Sequence, residues 1–159
     1  VFPAHGSGVG IGLVAARQLA DAALAGHDPG GVATTWAYQA AFQRRWGGLL
    51  AAYDLFRRGS QGLTGDEADR LMAAGVLSAS NSRAALEQRL VLPKARELPR
   101  LVAGLVEHRA LSRRLGAGVA RAPAALALYA RYPLRPDPRG LARWSARIAA
   151  VFDEAPDLR

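Results

Sequence analysis

The sequence predicts an all-α segment. Stretches after Gly12 repeat apolar residues at intervals of three and four, and no stretch shows the apolar–polar alternation of a half-buried strand. Glycine and proline clusters divide the chain into segments of ordinary helical length. The chain of 159 residues is 50% hydrophobic, which suits one domain with a core of its own.

The first half of the chain predicts two helices, at about 9–25 and 32–58. The first is apolar on nearly all sides, so we expect it to be buried. Gly47 and Gly48 in the second predict a kink or a close helix crossing. That helix also carries a stripe of mostly aromatic residues on one face, formed by Tyr38, Phe42, Trp46, Leu49, Tyr53 and Phe56. We interpret this stripe as core rather than as the lining of a cofactor or lipid pocket.

The second half predicts shorter helices at about 65–74, 82–91, 99–115, 123–132 and 138–153. Thr64 and Glu67 form a capping box, and Gly75 is the expected stop. Residues 78–82 are expected to be a polar linker, and Gly116 and Gly118 to break the 99–115 helix. The apolar positions expected inside are Leu101, Val102, Leu105, Val106 and Leu111.

Two connections of this half carry proline signals. Pro99 is well placed as a first-turn residue of its helix. Asp137 before Pro138 predicts an N-cap followed by a proline at the first helical position.

The amino-acid composition excludes several kinds of functional site. The chain has no cysteine, which excludes thiolate metal sites, disulfides and cysteine nucleophiles within it. Its three histidines are far apart in sequence, so we expect no metal site.

The net charge of +8 comes almost entirely from arginine, because Lys94 is the only lysine. Such a charge suits a nucleic-acid or anionic-membrane binder. We favour a compositional bias instead, since the arginines form no single run in the sequence.

The glycine-rich residues 3–12 predict a site for an anionic or electron-rich group. Glycines let backbone N–H groups approach a ligand, and a helix that begins directly after them leaves N–H donors unpaired. The dinucleotide-binding fingerprint Gly-x-Gly-x-x-Gly is not present in this loop. Its last position is Ile11 when the pattern starts at Gly6, and Leu13 when it starts at Gly8. The phosphate-binding P-loop motif is also not present, because the glycine-rich residues are not followed by Gly-Lys-Ser/Thr.

Residues 3–12, Pro-Ala-His-Gly-Ser-Gly-Val-Gly-Ile-Gly, precede an alanine-rich helix and resemble the second flavin motif of FAD-dependent oxidoreductases. The pattern is similar to that of the geranylgeranyl reductase-like branch of the p-hydroxybenzoate hydroxylase superfamily, in which Gly-Asp-Ala-Ala is followed by Pro-x-x-Gly-x-Gly-Ile. Pro3, Gly6 and Gly8 match this pattern. The chain departs from it at Ser7, where Glu is usual, at Val9, where Ile is frequent, and at His5.

The resemblance implies that residues 1–26 are an FAD-contacting loop with its buried helix, and that residues 27–159 are the helical C-terminal region. The parent protein would then be an α/β flavoprotein of Rossmann type whose N-terminal FAD and substrate domains precede Val1. We therefore expect a fragment that is inactive alone. The expected cofactor contacts, mainly through backbone N–H groups, are Pro3, Gly6, Ser7, Gly8, Val9 and Gly10.

The same resemblance sets the functional expectation. The parent would be an oxidoreductase, with an isoprenoid or other apolar small molecule as its expected substrate class. His5 is the weak candidate for a proton donor, because histidine titrates near neutrality. The expected location is cytoplasmic, with peripheral contact to a membrane left open. The alternative function is a basic helical module that binds nucleic acid or an anionic membrane.

Overall fold

The computed structural model describes residues 8–90 and 95–153, together with Pro3 and Gly6. The chain is 79% helical and has no strand among the residues described, which confirms the all-α prediction. The α-helices are α1 (Val9–Ala25), α2 (Val32–Phe42), α3 (Gly48–Ser60), α4 (Gly65–Ala73), α5 (Ala79–Leu86), α6 (Leu98–Glu107), α7 (Arg109–Ala130) and α8 (Pro138–Asp153). A π-helical segment, Gln43–Gly47, joins α2 to α3, and a 3₁₀ turn, Ala95–Glu97, precedes α6.

The centre of the fold is the packing of α3 against α7. A Cβ atom added to Gly118 would lie 2.6 Å from the carbonyl oxygen of Leu55, so the two backbones approach more closely than any side chain permits. A Cβ added to Gly48 would lie 3.1 Å from the Cα atom of Leu126, a tight contact that is less severe than the one at Gly118. Leu55 and Ala125 are almost fully buried between the helices, and Val151 and Phe152 of α8 pack against the same cluster.

A second core cluster lies where α4 meets the first half of α7. Leu71, Leu111 and Leu115 are buried there. The half-buried residues that surround them are Phe56, Leu63, Val76 and Leu77. Through Leu71 this cluster attaches α4 to the α3–α7 pair.

The predicted long helix at 32–58 is continuous in the structure, but it contains the π-helical turn. The Gly47–Gly48 pair lies at a close crossing, where added Cβ atoms would contact Tyr129 and Leu126 of α7. Of the stripe that we interpreted as core, only Tyr53 is buried, and the others are half-buried. The prediction that this stripe is core is therefore confirmed for Tyr53 alone.

Local helix signals are confirmed. Thr64 accepts a hydrogen bond from the Glu67 N–H, and the Glu67 carboxylate accepts one from the Thr64 N–H at 2.8 Å. That backbone bond is the main reason that the pKa of Glu67 lies below its ordinary value. Gly75 has φ +79°, as expected of a helix stop. The Asp137 carboxylate accepts from the N–H of Arg139 at 3.0 Å, at the start of α8.

Helix boundaries around α5 to α7 differ from the prediction. Ser78 is the N-cap of α5, so residues 79–82, expected to be a linker, are helical. The backbone breaks at His108, with φ −108° and ψ 50°, and α7 then continues through Gly116, Gly118 and Pro123. The expected glycine break is wrong because Gly118 is the contact with Leu55, and this packing holds the helix together.

Two burial predictions are wrong. In α1 only Ile11 is buried, and Leu13 and Leu24 are 68% and 87% exposed. In α6 the apolar side chains expected inside, Val102, Leu105 and Val106, are exposed. Both helices are apolar on more sides than their neighbours cover.

Candidate functional site

The site predicted from the sequence is the glycine-rich loop and the start of α1. Gly6 has φ +69°, a left-handed conformation that favours glycine, and no atom lies within 4 Å of the position that a Cβ would take. Pro3 is half-buried in a turn. His5 and Ser7 lie outside the described residues.

Gly8 is the N-cap of α1 and supplies no side-chain hydrogen bond to the helix. Its carbonyl oxygen accepts the N–H of Gly12 at 2.8 Å, the bond that begins the helical ladder. The first-turn N–H groups, at Val9, Gly10 and Ile11, therefore precede the first helical bond, and no acidic residue stands in that turn. The structure thus places Gly8, Val9 and Gly10 together at a helix end that carries partial positive charge.

Gln88 lies beside this helix end and was not anticipated from the sequence. A Cβ on Gly10 would lie 3.0 Å from Nε2 of the Gln88 side chain. Gln88 itself has a left-handed backbone conformation, with φ 54°. The following residue, Arg89, is held against α3 by a hydrogen bond of 2.6 Å from the hydroxyl of Tyr53 to its carbonyl oxygen. The amide of Gln88 is therefore a side-chain donor close to the start of α1. No sequence motif indicates this contact, which joins residues far apart in the chain.

The outer face of α1 is apolar and uncovered. Val9, Leu13 and Leu24 are 74%, 68% and 87% exposed, and they lie on one side of the helix with the small residues Ala16 and Ala20. The opposite side, which includes Ile11, packs against α2. Exposed apolar surface of this extent is typical of a contact face.

An open cavity of about 1050 Å³ lies elsewhere, along α5. Its lining is Ala79, Ser80, Asn81, Ser82, Arg83, Ala84, Leu86, Arg89, Leu90 and Glu97. None of the glycine-loop residues that the structure describes contributes to it. The cavity and the described part of the predicted cofactor site therefore have no lining residue in common.

Within residues 8–90 and 95–153, no group of three or more histidine or carboxylate side chains is placed to hold a metal ion. Among the described helices, none combines the length and the apolarity that crossing a membrane requires.

The site therefore consists of a glycine-rich turn, a helix start without a side-chain cap, one nearby amide donor and an uncovered apolar helix face. This arrangement can present backbone N–H donors and one side-chain amide to an anionic or electron-rich group. Comparison with protein-family models, curated proteins and solved structures found no match to this chain.

Proposed function

We propose that this chain is the C-terminal part of an FAD-dependent oxidoreductase, in which the glycine-rich loop and the start of α1 contact the flavin. One observation carries the proposal. α1 begins directly after the loop with glycine as its N-cap, no side-chain cap and no acidic residue in its first turn. The unpaired N–H groups of such a helix start can bind an anionic or electron-rich ligand.

The described part of the loop leaves room for a ligand in front of Gly6, where no atom lies within 4 Å of the position of a Cβ. At Gly10 the side-chain amide of Gln88 lies against that position, so a bound group would meet this donor as well as the backbone. The flavin, when bound, supplies the electron-transfer chemistry. The chain supplies N–H donors at Val9 and Gly10, which favour negative charge in front of the helix.

The size of this effect follows from the helix dipole. A helix N-terminus stabilises nearby negative charge by about 0.3–1 kcal/mol, or by about 2 kcal/mol when partly buried. For a two-electron couple, about 1.4 kcal/mol corresponds to about 30 mV. The loop would thus raise the reduction potential of the flavin by a few tens of millivolts.

The uncovered face of α1 supports the proposal independently. Leu13 and Leu24 are mostly exposed, although they belong to a helix that is apolar on most of its surface. The proposed partner for this face is the N-terminal FAD and substrate part of the parent protein. An isoprenoid or another apolar small molecule remains the proposed substrate class, and a cytoplasmic protein with peripheral membrane contact the proposed setting.

The test compares this chain with the complete protein encoded by its gene. We expect the complete protein to purify with FAD, and we expect the 159-residue chain alone to bind FAD only weakly. In the complete protein, Gly8→Asp places a carboxylate at the helix start and should lower the flavin potential by tens of millivolts. Gly65→Asp is the matched control, because it adds the same carboxylate at the exposed start of α4, where a Cβ meets open space.

Two results would contradict the proposal. One is a complete protein that neither contains nor binds flavin. The other is a flavin potential that is the same in the Gly8→Asp variant and in the original protein. Tight binding of FAD by the isolated chain would contradict the division of the site between two parts of a larger protein.

A further inference from the structure

Arginines recur at every fourth position over the last part of the chain: Arg131, Arg135, Arg139, Arg143 and Arg147. All five are exposed. The last three lie in α8, where a spacing of four residues places side chains one above another on the same side. We call Arg139, Arg143 and Arg147 the arginine face of α8.

The orientation of α8 is fixed by the packing of the side of the helix opposite to the arginine face. Trp144 packs edge-on against Tyr129 and Tyr132, and its indole N–H donates to the carbonyl oxygen of Leu128 at 2.9 Å. Val151 and Phe152 pack on the central core cluster. The large apolar side chains of α8 are therefore turned towards the protein, and the arginine face is turned away from it.

Within the part of the chain that the structure describes, little acidic charge balances this face. Within α8 the only carboxylate is that of Asp153 at its last residue, and Glu154 and Asp157 follow outside the described residues. Arg143 pairs with Asp137 at 3.9 Å, but both side chains are more than half exposed. Among the residues that the structure describes, Arg139 and Arg147 have no ion pair. The other exposed positions on this side are small, Ala142, Ala146 and Ala150, so a partner can approach the helix closely.

We propose that the arginine face of α8 is a docking surface for the phosphate backbone of a nucleic acid. Successive arginines are about 6 Å apart along the helix, close to two backbone steps of about 3.4 Å in one strand. Guanidinium groups bind phosphate oxygens in a bidentate manner, which favours arginine over lysine at such contacts. The contacts are to phosphates alone, so the binding is independent of base sequence.

An anionic membrane is the competing partner for any basic helix. A helix that lies in a membrane interface exposes its apolar side chains next to its basic ones. In α8 these side chains, including Trp144 and Phe152, are used for packing within the protein. The arrangement therefore favours a polyanion that contacts arginine tips over a surface that must take up apolar side chains. This inference is independent of the proposed flavin function.

The test measures binding of the full chain to a fluorescent duplex DNA and to a duplex RNA of arbitrary sequence, at increasing salt. Three phosphate contacts predict a slope of log K against log salt of about −3, which corresponds to an affinity loss of about 40-fold between about 50 and 200 mM salt. The variant Arg139→Gln/Arg143→Gln/Arg147→Gln should lose most of this salt dependence. Its circular dichroism spectrum reports whether the helix content of the chain is retained.

The matched control removes three exposed arginines elsewhere, as Arg96→Gln/Arg109→Gln/Arg113→Gln, and so makes the same change in net charge. We expect it to keep a slope near that of the original chain. Equal losses in the two triple variants would overturn the proposal, because net charge alone would then explain binding. Absence of duplex binding at low salt would also overturn it, as would binding only to vesicles of phosphatidylserine and phosphatidylcholine.

Discussion

Helices α1 and α3 are both rich in apolar and small residues, yet they differ in burial. Six of the 13 residues of α3 are buried, including Leu55 and Tyr53, whereas α1 buries only Ile11 among its 17 residues. α3 has a close partner because glycines of both α3 and α7 let their backbones meet. α1 packs mainly against α2 on one side. Apolar composition therefore predicts a helix, but burial depends on a partner with a matching surface.

The sharpest test of this comparison removes one leucine from each helix. Leu55→Ala leaves a cavity between α3 and α7 and should lower the free energy of unfolding by about 2–5 kcal/mol. Leu13→Ala should change it by less than about 0.5 kcal/mol, because Leu13 is 68% exposed. Urea denaturation of the two variants measures both values.

A large effect of Leu13→Ala in this chain would contradict the exposed position of α1 and indicate that its face is covered in solution. In the proposed parent protein, the same substitution should lower the free energy of unfolding by more than it does in the isolated chain. That difference would report the contact between α1 and the rest of the parent.

The second test concerns the close approach of α3 and α7. Gly118→Ala adds a Cβ that would lie 2.6 Å from the Leu55 carbonyl oxygen, so the helices must separate. We expect a loss of about 1–3 kcal/mol in the free energy of unfolding. Gly116→Ala is the matched control in the same helix, since nothing lies within 4 Å of its added methyl group. The control should be neutral or stabilising by up to about 1 kcal/mol, and equal losses at both positions would argue against the crossing.

A third test places a methyl group on the uncovered side of α1. Gly12 lies in the first turns of this helix, and nothing in the structure lies within 4 Å of the position of its Cβ. Gly12→Ala should therefore stabilise the isolated chain by up to about 1 kcal/mol through helix propensity alone. Thermal melting followed by circular dichroism measures the change. Destabilisation would mean that another surface contacts α1 at this point.

Features that depend on neighbouring residues were predictable from the sequence, and features that depend on distant contacts were not. The ends of α1, the capping box at Thr64 and the N-cap at Asp137 were predictable because each depends on residues within one turn. The continuity of α7 through Gly118 was not, because it depends on the Leu55 carbonyl more than 60 residues earlier in the chain.

The candidate site shows the same division. The glycine turn and the start of α1 were predicted from local pattern, and Gly6 and Gly8 lie where that pattern places them. Gln88 was not predicted, because its position beside Gly10 results from the packing of distant segments. The spacing of the arginines was present in the sequence, but their common exposed face required the packing of Trp144 and Phe152 on the other side of α8.

The smallest expected difference between α1 and α3 concerns their carboxylates. Asp21 pairs with Arg17 on the open surface of α1, whereas Asp54 of α3 lies between Arg57 and Arg58, at 2.6 and 2.9 Å, with its side chain 23% exposed. Burial raises the pKa of Asp54, but the hydrogen bonds and charges of the two arginines outweigh it and leave the pKa below its ordinary value. The ionised carboxylate is thus favoured in the folded state.

Because the folded-state pKa is lowered, the contribution of Asp54 is complete above the ordinary carboxyl pKa of about 4 and is lost as the pH falls through the folded-state value. We expect Asp54→Asn to lower stability by up to about 1 kcal/mol near neutral pH, and the difference from the original chain to shrink below about pH 4. Asp21→Asn is the matched control and should cost less, because that pair is more exposed to solvent. Urea denaturation of the three proteins from about pH 7 to about pH 3 measures this. An Asp54→Asn difference that stays constant over this range would show that the arginine pair stabilises α3 by packing rather than by charge.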